Sequence, residues 1–117
     1  MMIRVFGLNK CDTCRKARAW LDEHGVAYDF IDYRDNPVPA STLAQWASAV
    51  GGWDKLVNRA SLTWRGLPPE RKSPESPAQW LALIAEHPTL VRRPVLTRLG
   101  EDPITGFSDK KYAEIFK

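Results

Sequence analysis

Residues 3–14 read Ile3-Arg4-Val5-Phe6-Gly7-Leu8-Asn9-Lys10-Cys11-Asp12-Thr13-Cys14. The short apolar run Ile3–Phe6, ended by Gly7, is typical of a buried strand. A helix is predicted to follow, because apolar side chains recur at helical spacing at Cys14, Ala17, Trp20 and Leu21. Cys11 therefore lies at the junction between a predicted strand and a predicted helix.

The residues after this helix predict a second strand. Gly25 is a natural left-handed end for the helix. In the stretch Val26–Tyr33 every second residue from Val26 to Phe30 is apolar, as in a strand with one buried face. Residues 3–33 thus predict a βαβ unit with parallel strands and a right-handed crossover.

The middle of the chain has a helical pattern. One helix carries Leu43, Trp46, Ala47 and Val50 and ends at Gly51 and Gly52, and a short helix contains Trp53, Leu56 and Val57. The stretch 61–75 is rich in proline and charge, which indicates a surface loop with helical turns. Ser76-Pro77-Ala78-Gln79 has the elements of a capping box and is predicted to open a helix that ends near Pro88.

Two strands and a helix are predicted at the end of the chain. The strands are Pro94–Thr97 and Pro103–Phe107, separated by a turn around Gly100, and the helix opens at Ser108. The order βαβ, helices, ββα predicts an α/β fold with a mixed central sheet. We expect the 117 residues to form a single domain with a helical insertion over about 38–88.

Composition limits the class of protein. With 44% hydrophobic and 26% charged residues, the chain resembles an ordinary globular domain. It shows no apolar run long enough to span a bilayer and no charged leader followed by a long apolar stretch. We therefore expect a cytoplasmic monomer with no membrane partner. In that reducing compartment the 2 cysteines are expected to serve chemistry rather than a disulfide scaffold.

The segment Cys11-Asp12-Thr13-Cys14 is a C-x-x-C motif at a predicted helix start. A helix N-terminus stabilises an anion in its first turn, and Lys10, Arg15 and Lys16 add positive charge nearby in sequence. Both effects are expected to lower the pKa of Cys11 below the usual value of about 8.5, which favours a nucleophilic thiolate. In this context the motif predicts a thioredoxin-like redox-active site.

Two roles are open for Cys14. One helical turn from Cys11, it can attack a mixed disulfide and resolve it. It also shares a helical stripe with Ala17 and Leu21, as a buried core thiol does, and burial suppresses thiolate formation.

The other polar residues give weaker signals. The net charge is +3, with five cations in the first 18 residues: Arg4, Lys10, Arg15, Lys16 and Arg18. These fit a solvated helix face, a field for a thiolate or anionic substrate, or a nucleic-acid surface. No nucleic-acid-binding motif is found, so we expect no direct nucleic-acid partner. No metal is expected, because the only histidines, His24 and His87, do not have finger spacing and lie near predicted helix ends.

Tryptophan is frequent, with 5 in the chain. Trp20, Trp46, Trp53 and Trp80 lie among apolar helical neighbours and are predicted to pack in the core. Trp64 lies in a polar stretch and is the candidate for a surface over the active site.

Four segments form a pattern that covers essentially the whole chain. They are Asn9-Lys10-Cys11-Asp12-Thr13, Thr63-Trp64-Arg65, Val91-Arg92-Arg93-Pro94-Val95-Leu96 and Gly106-Phe107-Ser108-Asp109. The pattern resembles the arsenate reductase ArsC family, whose relatives include the Spx regulators, and most closely its YffB-like proteins. The resemblance implies a thioredoxin-like fold with Cys11 as the reactive thiol.

The resemblance also implies roles for two arginines. Arg93 matches the arginine before the family's cis proline, here Pro94, which faces the cysteine; a guanidinium there would hold a thiolate or an oxyanion. Arg59 falls near a second family arginine that helps to bind the oxyanion, and the alternative for it is a solvated surface residue. The predicted catalytic residues are Cys11, Cys14 and Arg93, and the predicted substrate-binding residues are Lys10, Arg59 and Pro94.

The function predicted from these features is thiol–disulfide exchange. The resemblance to YffB-like proteins implies a glutathione-dependent thiol reductase, with no bound cofactor and glutathione as co-substrate. A Spx-like redox-sensing regulator that binds RNA polymerase is an alternative, favoured by the presence of Cys14. Arsenate reduction is a third, but a further family arginine is missing from Ile104-Thr105-Gly106-Phe107, so arsenate would lose one charge-assisted contact.

Overall fold

A computed structural model describes residues 3–116 of the chain. The chain forms two compact units, one made of the described residues up to Tyr33 together with those from Arg93 onward, and the other of Arg34–Arg92. The second unit contains the predicted helical insertion.

The helices and strands follow the predicted order. The strands are β1 (Ile3–Gly7), β2 (Asp29–Asp32), β3 (Val95–Arg98) and β4 (Ile104–Thr105). The α-helices are α1 (Asp12–Glu23), α2 (Ala40–Val50), α3 (Trp53–Leu56), α4 (Leu62–Arg65), α5 (Pro77–Glu86) and α6 (Asp109–Ile115), with 3₁₀ turns at Pro69–Arg71 and Pro88–Leu90.

The first unit is built on a four-stranded mixed sheet of order β2-β1-β3-β4. β1 pairs in parallel with β2 and antiparallel with β3, and β3 pairs antiparallel with β4. The α/β class and the mixed sheet predicted from the sequence are therefore confirmed. Because β1 and β2 are parallel, the chain must cross over between them, and α1 makes that crossover.

One apolar cluster joins the helices to this sheet. The stripe of α1 packs Ala17, Trp20 and Leu21 against Val5 of β1, and Tyr112 of α6 lies edge-on to Trp20 with ring centroids 5.6 Å apart. Leu21 and Tyr112 are fully buried, and burying one such side chain contributes about 1.5–3 kcal/mol. This cluster fixes α1, and with it Cys11, relative to the sheet.

The second unit is helical and contains a stack of tryptophans. The ring of Trp80 lies between those of Trp53 and Trp64, at centroid distances of 6.5 and 5.8 Å. Helix α2 ends at Gly51, whose φ of 101° is the left-handed conformation expected of a glycine stop. The side chain of Ser76 caps α5 by accepting a hydrogen bond from the Gln79 amide, as predicted.

Two predicted strands are too long. β2 covers Asp29–Asp32 rather than Val26–Tyr33, because pairing with β1 begins only where Asp29 lies opposite Arg4. β4 covers Ile104–Thr105 rather than Pro103–Phe107, because it pairs with only two residues of β3. Residue type alone does not show where the backbone pairing between two strands ends.

Three tryptophans also depart from their predicted positions. Trp64 is buried, at 6% exposure, and is not a surface residue, since its ring packs on Trp80. Trp53 and Trp80, predicted as core residues, are half-buried. The described part of the chain contains no helix that is both long enough and apolar enough to cross a membrane.

Candidate thiol site

Cys11 lies at the start of α1, as the sequence predicted. It is the N-cap residue of the helix, with an extended backbone, and its side chain is half-exposed. Its amide donates to the carbonyl of Leu8 at 3.3 Å, and the Asn9 amide donates to Asp32 Oδ2 at 3.0 Å. These bonds hold the loop between β1 and α1, so the sulfur is accessible but fixed in place.

Arg93 directly contacts this sulfur. The bond between Arg93 and Pro94 is cis, as the family resemblance implied, and the Pro94 carbonyl accepts a hydrogen bond from the Gly106 amide at 2.9 Å. Arg93 Nε donates to Cys11 Sγ at 3.3 Å. A cationic donor at this distance favours the thiolate over the thiol.

The pKa of Cys11 reflects opposing influences. Partial burial by itself raises it, but the nearby Cys14 amide, the hydrogen bond from Arg93, the Cys14 thiol and the charge of Arg93 lower it below the ordinary value. The Cys14 amide belongs to the first turn of α1, where backbone N–H groups have no partner within the helix.

Cys14 has the opposite environment. It is completely buried, and burial raises its pKa to about 12, to which the nearby Cys11 also contributes. At neutral pH Cys14 is therefore a thiol, and its S–H hydrogen bonds to Cys11. Cys14 is thus a packed core thiol whose side chain also interacts with Cys11, and its role as the resolving thiol stays a prediction.

Gly7 makes room for the Cys14 sulfur. A Cβ atom at residue 7 would lie 2.5 Å from Cys14 Sγ, which is shorter than any normal contact between these atoms. The last residue of β1 therefore has to be glycine for the buried thiol to occupy its present position.

We predict that Gly7→Ala lowers the free energy of unfolding by about 1–3 kcal/mol, the usual cost of overpacking. In a Cys14→Ala background the cost should fall close to zero, because the next contacts of the added Cβ are ordinary ones of 3.5 Å. Urea unfolding of the four proteins measures both values. Gly66→Ala is the matched control, since Gly66 has a φ of −79° and its Cβ would be 3.4 Å from the nearest atom. An equal cost of Gly7→Ala in both backgrounds would contradict the prediction.

Tyr33 is a site residue that the sequence did not indicate. It follows β2, is 2% exposed, and forms a side-chain hydrogen bond with Arg93. Burial raises the pKa of Tyr33 to about 12, despite the opposing effect of Arg93. The only available signal was its place at the end of a predicted strand, where side chains of parallel α/β sheets often form sites.

The cations that neighbour Cys11 in sequence are not the main source of its lowered pKa, contrary to the prediction. Lys10, Arg15 and Lys16 are exposed, and Arg15 pairs with Asp12 at 3.5 Å. The nearby guanidinium comes instead from Arg93, 82 residues along the chain. Exposed charges are screened by solvent, whereas the half-buried Arg93 acts at short range.

Arg59 belongs to the second unit. Its side chain is exposed, and its guanidinium lies over the ring of Trp64, 5.5 Å from the centroid. Such a contact orients the guanidinium but leaves its donors available. Substrate binding by Arg59 and Lys10 stays a prediction.

The segment 104–107, where the family resemblance implies a further arginine, contains none. Gly106 has a φ of 76°, and the ammonium of Lys111 lies beside it, where it donates to the Thr105 carbonyl at 2.7 Å. Among the described residues no group of three His, Cys, Asp or Glu side chains could hold a metal ion.

A four-stranded mixed sheet with a thiol at the start of its crossover helix and an arginine–cis-proline pair beside that thiol defines a thioredoxin-like α/β protein. Residues 6–115 match the ArsC family. The chain belongs to this family.

Relatives of known sequence or structure support this assignment. An uncharacterised protein of Haemophilus influenzae is 38% identical over 115 residues, covering 98% of this chain and 99% of the relative. The global transcriptional regulator Spx of Streptococcus agalactiae is 31% identical over 119 residues, covering 95% of this chain and 86% of Spx. The solved structure of a YffB protein superposes with a TM-score of 0.86 at 38% identity, covering 97% of each chain.

Proposed function

We propose that this protein is a thiol–disulfide oxidoreductase, and specifically a glutathione-dependent thiol reductase that uses Cys11 as its nucleophile. The observation that carries the proposal is the contact of Arg93 Nε with Cys11 Sγ at 3.3 Å, at the N-terminus of α1. This environment supports a thiolate at neutral pH, and the thiolate is the form that attacks disulfides.

The reaction proceeds in two exchanges. The Cys11 thiolate attacks the glutathione sulfur of a mixed disulfide on the substrate; the Cys11–glutathione bond forms, the substrate disulfide breaks, and the substrate leaves as a thiolate that takes up a proton. A second glutathione thiolate then attacks this intermediate, which releases glutathione disulfide and restores the Cys11 thiolate. Overall, one molecule of reduced glutathione is consumed for each mixed disulfide: its sulfur is oxidised as the substrate sulfur is reduced, glutathione disulfide is released, and no bound cofactor is required.

Cys14 acts mainly on the resting thiolate. Its thiol donates a hydrogen bond to Cys11, which stabilises the charge before attack. When Cys11 enters a mixed disulfide this charge disappears, and one contribution to the high pKa of Cys14 is removed. Burial, the larger contribution, persists, so resolution by Cys14 is slower than attack by a second glutathione.

We predict that the reduced protein, treated with glutathione disulfide, gains one glutathione on Cys11 as its first product. The rate of adduct formation should rise with pH and reach its plateau at a pH below the ordinary pKa of cysteine, because the pKa of Cys11 is lowered. Mass spectrometry of quenched samples at a series of pH values measures the product and its rate.

The Cys14→Ala variant is the control, since its adduct cannot pass on to an internal disulfide. A rate that keeps rising through the ordinary cysteine range would contradict the thiolate proposal. An internal disulfide as the first product would assign the resolving step to Cys14.

A redox-sensing regulator is the second candidate. The contact between the Cys11 and Cys14 thiols favours it, as does the 31% identity to a transcriptional regulator named Spx. In this case glutathione disulfide oxidises the pair: the Cys11–Cys14 bond forms and two glutathione molecules are released. Pull-down of RNA polymerase with the oxidised and the reduced protein distinguishes the two functions. Absence of binding in both states would reject the redox-sensing regulator. Arsenate reduction has less support, since residues 104–107 contain no arginine to match the third one of the family.

A further inference from the structure

The thiolate partner Arg93 is itself held by a second side chain. Arg93 Nε donates to Cys11 Sγ at 3.3 Å, and the same guanidinium hydrogen bonds to Tyr33. A guanidinium carries five N–H donors in one plane, so two acceptors restrict its rotation as well as its position.

Tyr33 is suited to hold Arg93 because it is buried and hydrogen bonded to β1. The side chain is 2% exposed, and the Tyr33 amide donates to the carbonyl of Gly7 at 3.1 Å, which ties the residue to the end of β1. Gly7 is also the residue on which the Cys14 sulfur packs. Gly7 therefore both accepts the hydrogen bond from Tyr33 and leaves the space that the Cys14 sulfur occupies.

Arg93 has more freedom without this contact. It lies in the loop before β3 and is only half-buried, and a long arginine side chain loses about 2 kcal/mol of rotamer entropy when it is ordered. A second, fixed acceptor lowers the number of orientations that Arg93 can adopt.

We propose that Tyr33 is a positioning residue, whose buried hydroxyl accepts a hydrogen bond from Arg93 and holds the guanidinium against Cys11 Sγ. In this proposal Tyr33 acts on the reacting sulfur through Arg93. The proposal rests on the part of the proposed function that makes Cys11 the reactive thiolate.

Tyr33→Phe tests the hydroxyl while the ring keeps its packing. At pH values below the pKa of Cys11, we expect the rate of Cys11 alkylation by iodoacetamide to fall about threefold to tenfold, the size of one ordinary hydrogen bond. The pH at which the rate is half-maximal should rise, and the loss should vanish at high pH, where Cys11 is fully ionised in both proteins. Mass analysis of the Cys11 peptide gives the rate at each pH.

A double-mutant cycle distinguishes positioning from mere packing. In Arg93→Gln and Arg93→Lys backgrounds, Tyr33→Phe should change the alkylation rate much less than it does in the parent protein. The reason is that Tyr33 acts through Arg93, which these backgrounds have already replaced. Tyr28→Phe is the matched control, since the Tyr28 hydroxyl accepts from Arg18 Nε at 3.4 Å in a pair that does not include Cys11.

An unchanged pH profile of alkylation in Tyr33→Phe overturns the proposal. So does a loss of alkylation rate on Tyr33→Phe that is equal in the parent protein and in the Arg93 variants. Alkylation does not involve glutathione, so the two proposals can fail separately. A shifted alkylation profile in a protein that never reacts with glutathione disulfide would support the role of Tyr33 and reject the glutathione-dependent reductase.

Discussion

Cys11→Ser is expected to reduce the turnover of a glutathionylated substrate to the uncatalysed background. A serine hydroxyl stays protonated at neutral pH and cannot form the mixed disulfide through which both exchanges pass. Cys14 cannot replace the lost nucleophile, because it is completely buried and its pKa is raised to about 12. The loss should therefore be complete rather than partial.

The rate at which a glutathionylated peptide is converted to its free thiol, followed together with the formation of glutathione disulfide, measures this effect. Cys14→Ala is the matched control and should keep a substantial part of the activity, reduced only by the loss of one hydrogen bond to Cys11. Far-ultraviolet circular dichroism checks that both variants are folded. If Cys11→Ser retained the activity of the parent protein, Cys11 would not be the nucleophile and the proposed function would be wrong.

The local parts of this site could be predicted from the sequence. The strand Ile3–Gly7 and helix Asp12–Glu23 follow from periodicity over neighbouring residues, and they place Cys11 at a helix start. The buried state of Cys14 follows from its helical phase. Such features depend on residues close in sequence, where a single chain carries enough information.

The parts that depend on long-range packing could not be predicted in this way. Arg93 was assigned through the family pattern, since nothing in residues 11–14 indicates a partner 82 positions away. Tyr33 and Gly7 were missed because their roles depend on which atoms meet at the end of β1. Lys10 is close to Cys11 in sequence but exposed, and the groups that lower the pKa of Cys11 are Cys14 and Arg93.

Gly7, Tyr33 and Arg93 together explain why the two cysteines differ. The Arg93 guanidinium donates a hydrogen bond to the half-exposed sulfur of Cys11. Because Gly7 has no side chain, there is space for the Cys14 sulfur to be buried in the core. The same motif thus contains one thiol with a lowered pKa and one with a raised pKa. In the proposed function, this asymmetry is the reason why Cys11 makes the attack and why an external thiol makes the second exchange.

Arg93→Gln is expected to slow the reaction of Cys11 with glutathione disulfide by about tenfold to a hundredfold at neutral pH. The substitution removes both the donor to Cys11 Sγ and the positive charge, and each unit of increase in pKa lowers the thiolate fraction about tenfold. Arg93→Lys should be intermediate, because an ammonium keeps the charge but cannot donate in one plane to both Cys11 and Tyr33.

The pH dependence separates two ways in which Arg93 can act. If it stabilises the thiolate, the deficit of Arg93→Gln shrinks as the pH rises, because Cys11 ionises in the variant too, and adduct formation followed by mass spectrometry from pH 6 to 10 would show the curves converging. Arg92→Gln is the matched control, since Arg92 is exposed and its Nε donates to the Lys55 carbonyl at 2.8 Å. A deficit that stays constant over this range would contradict the thiolate role and assign Arg93 to binding the glutathione carboxylates.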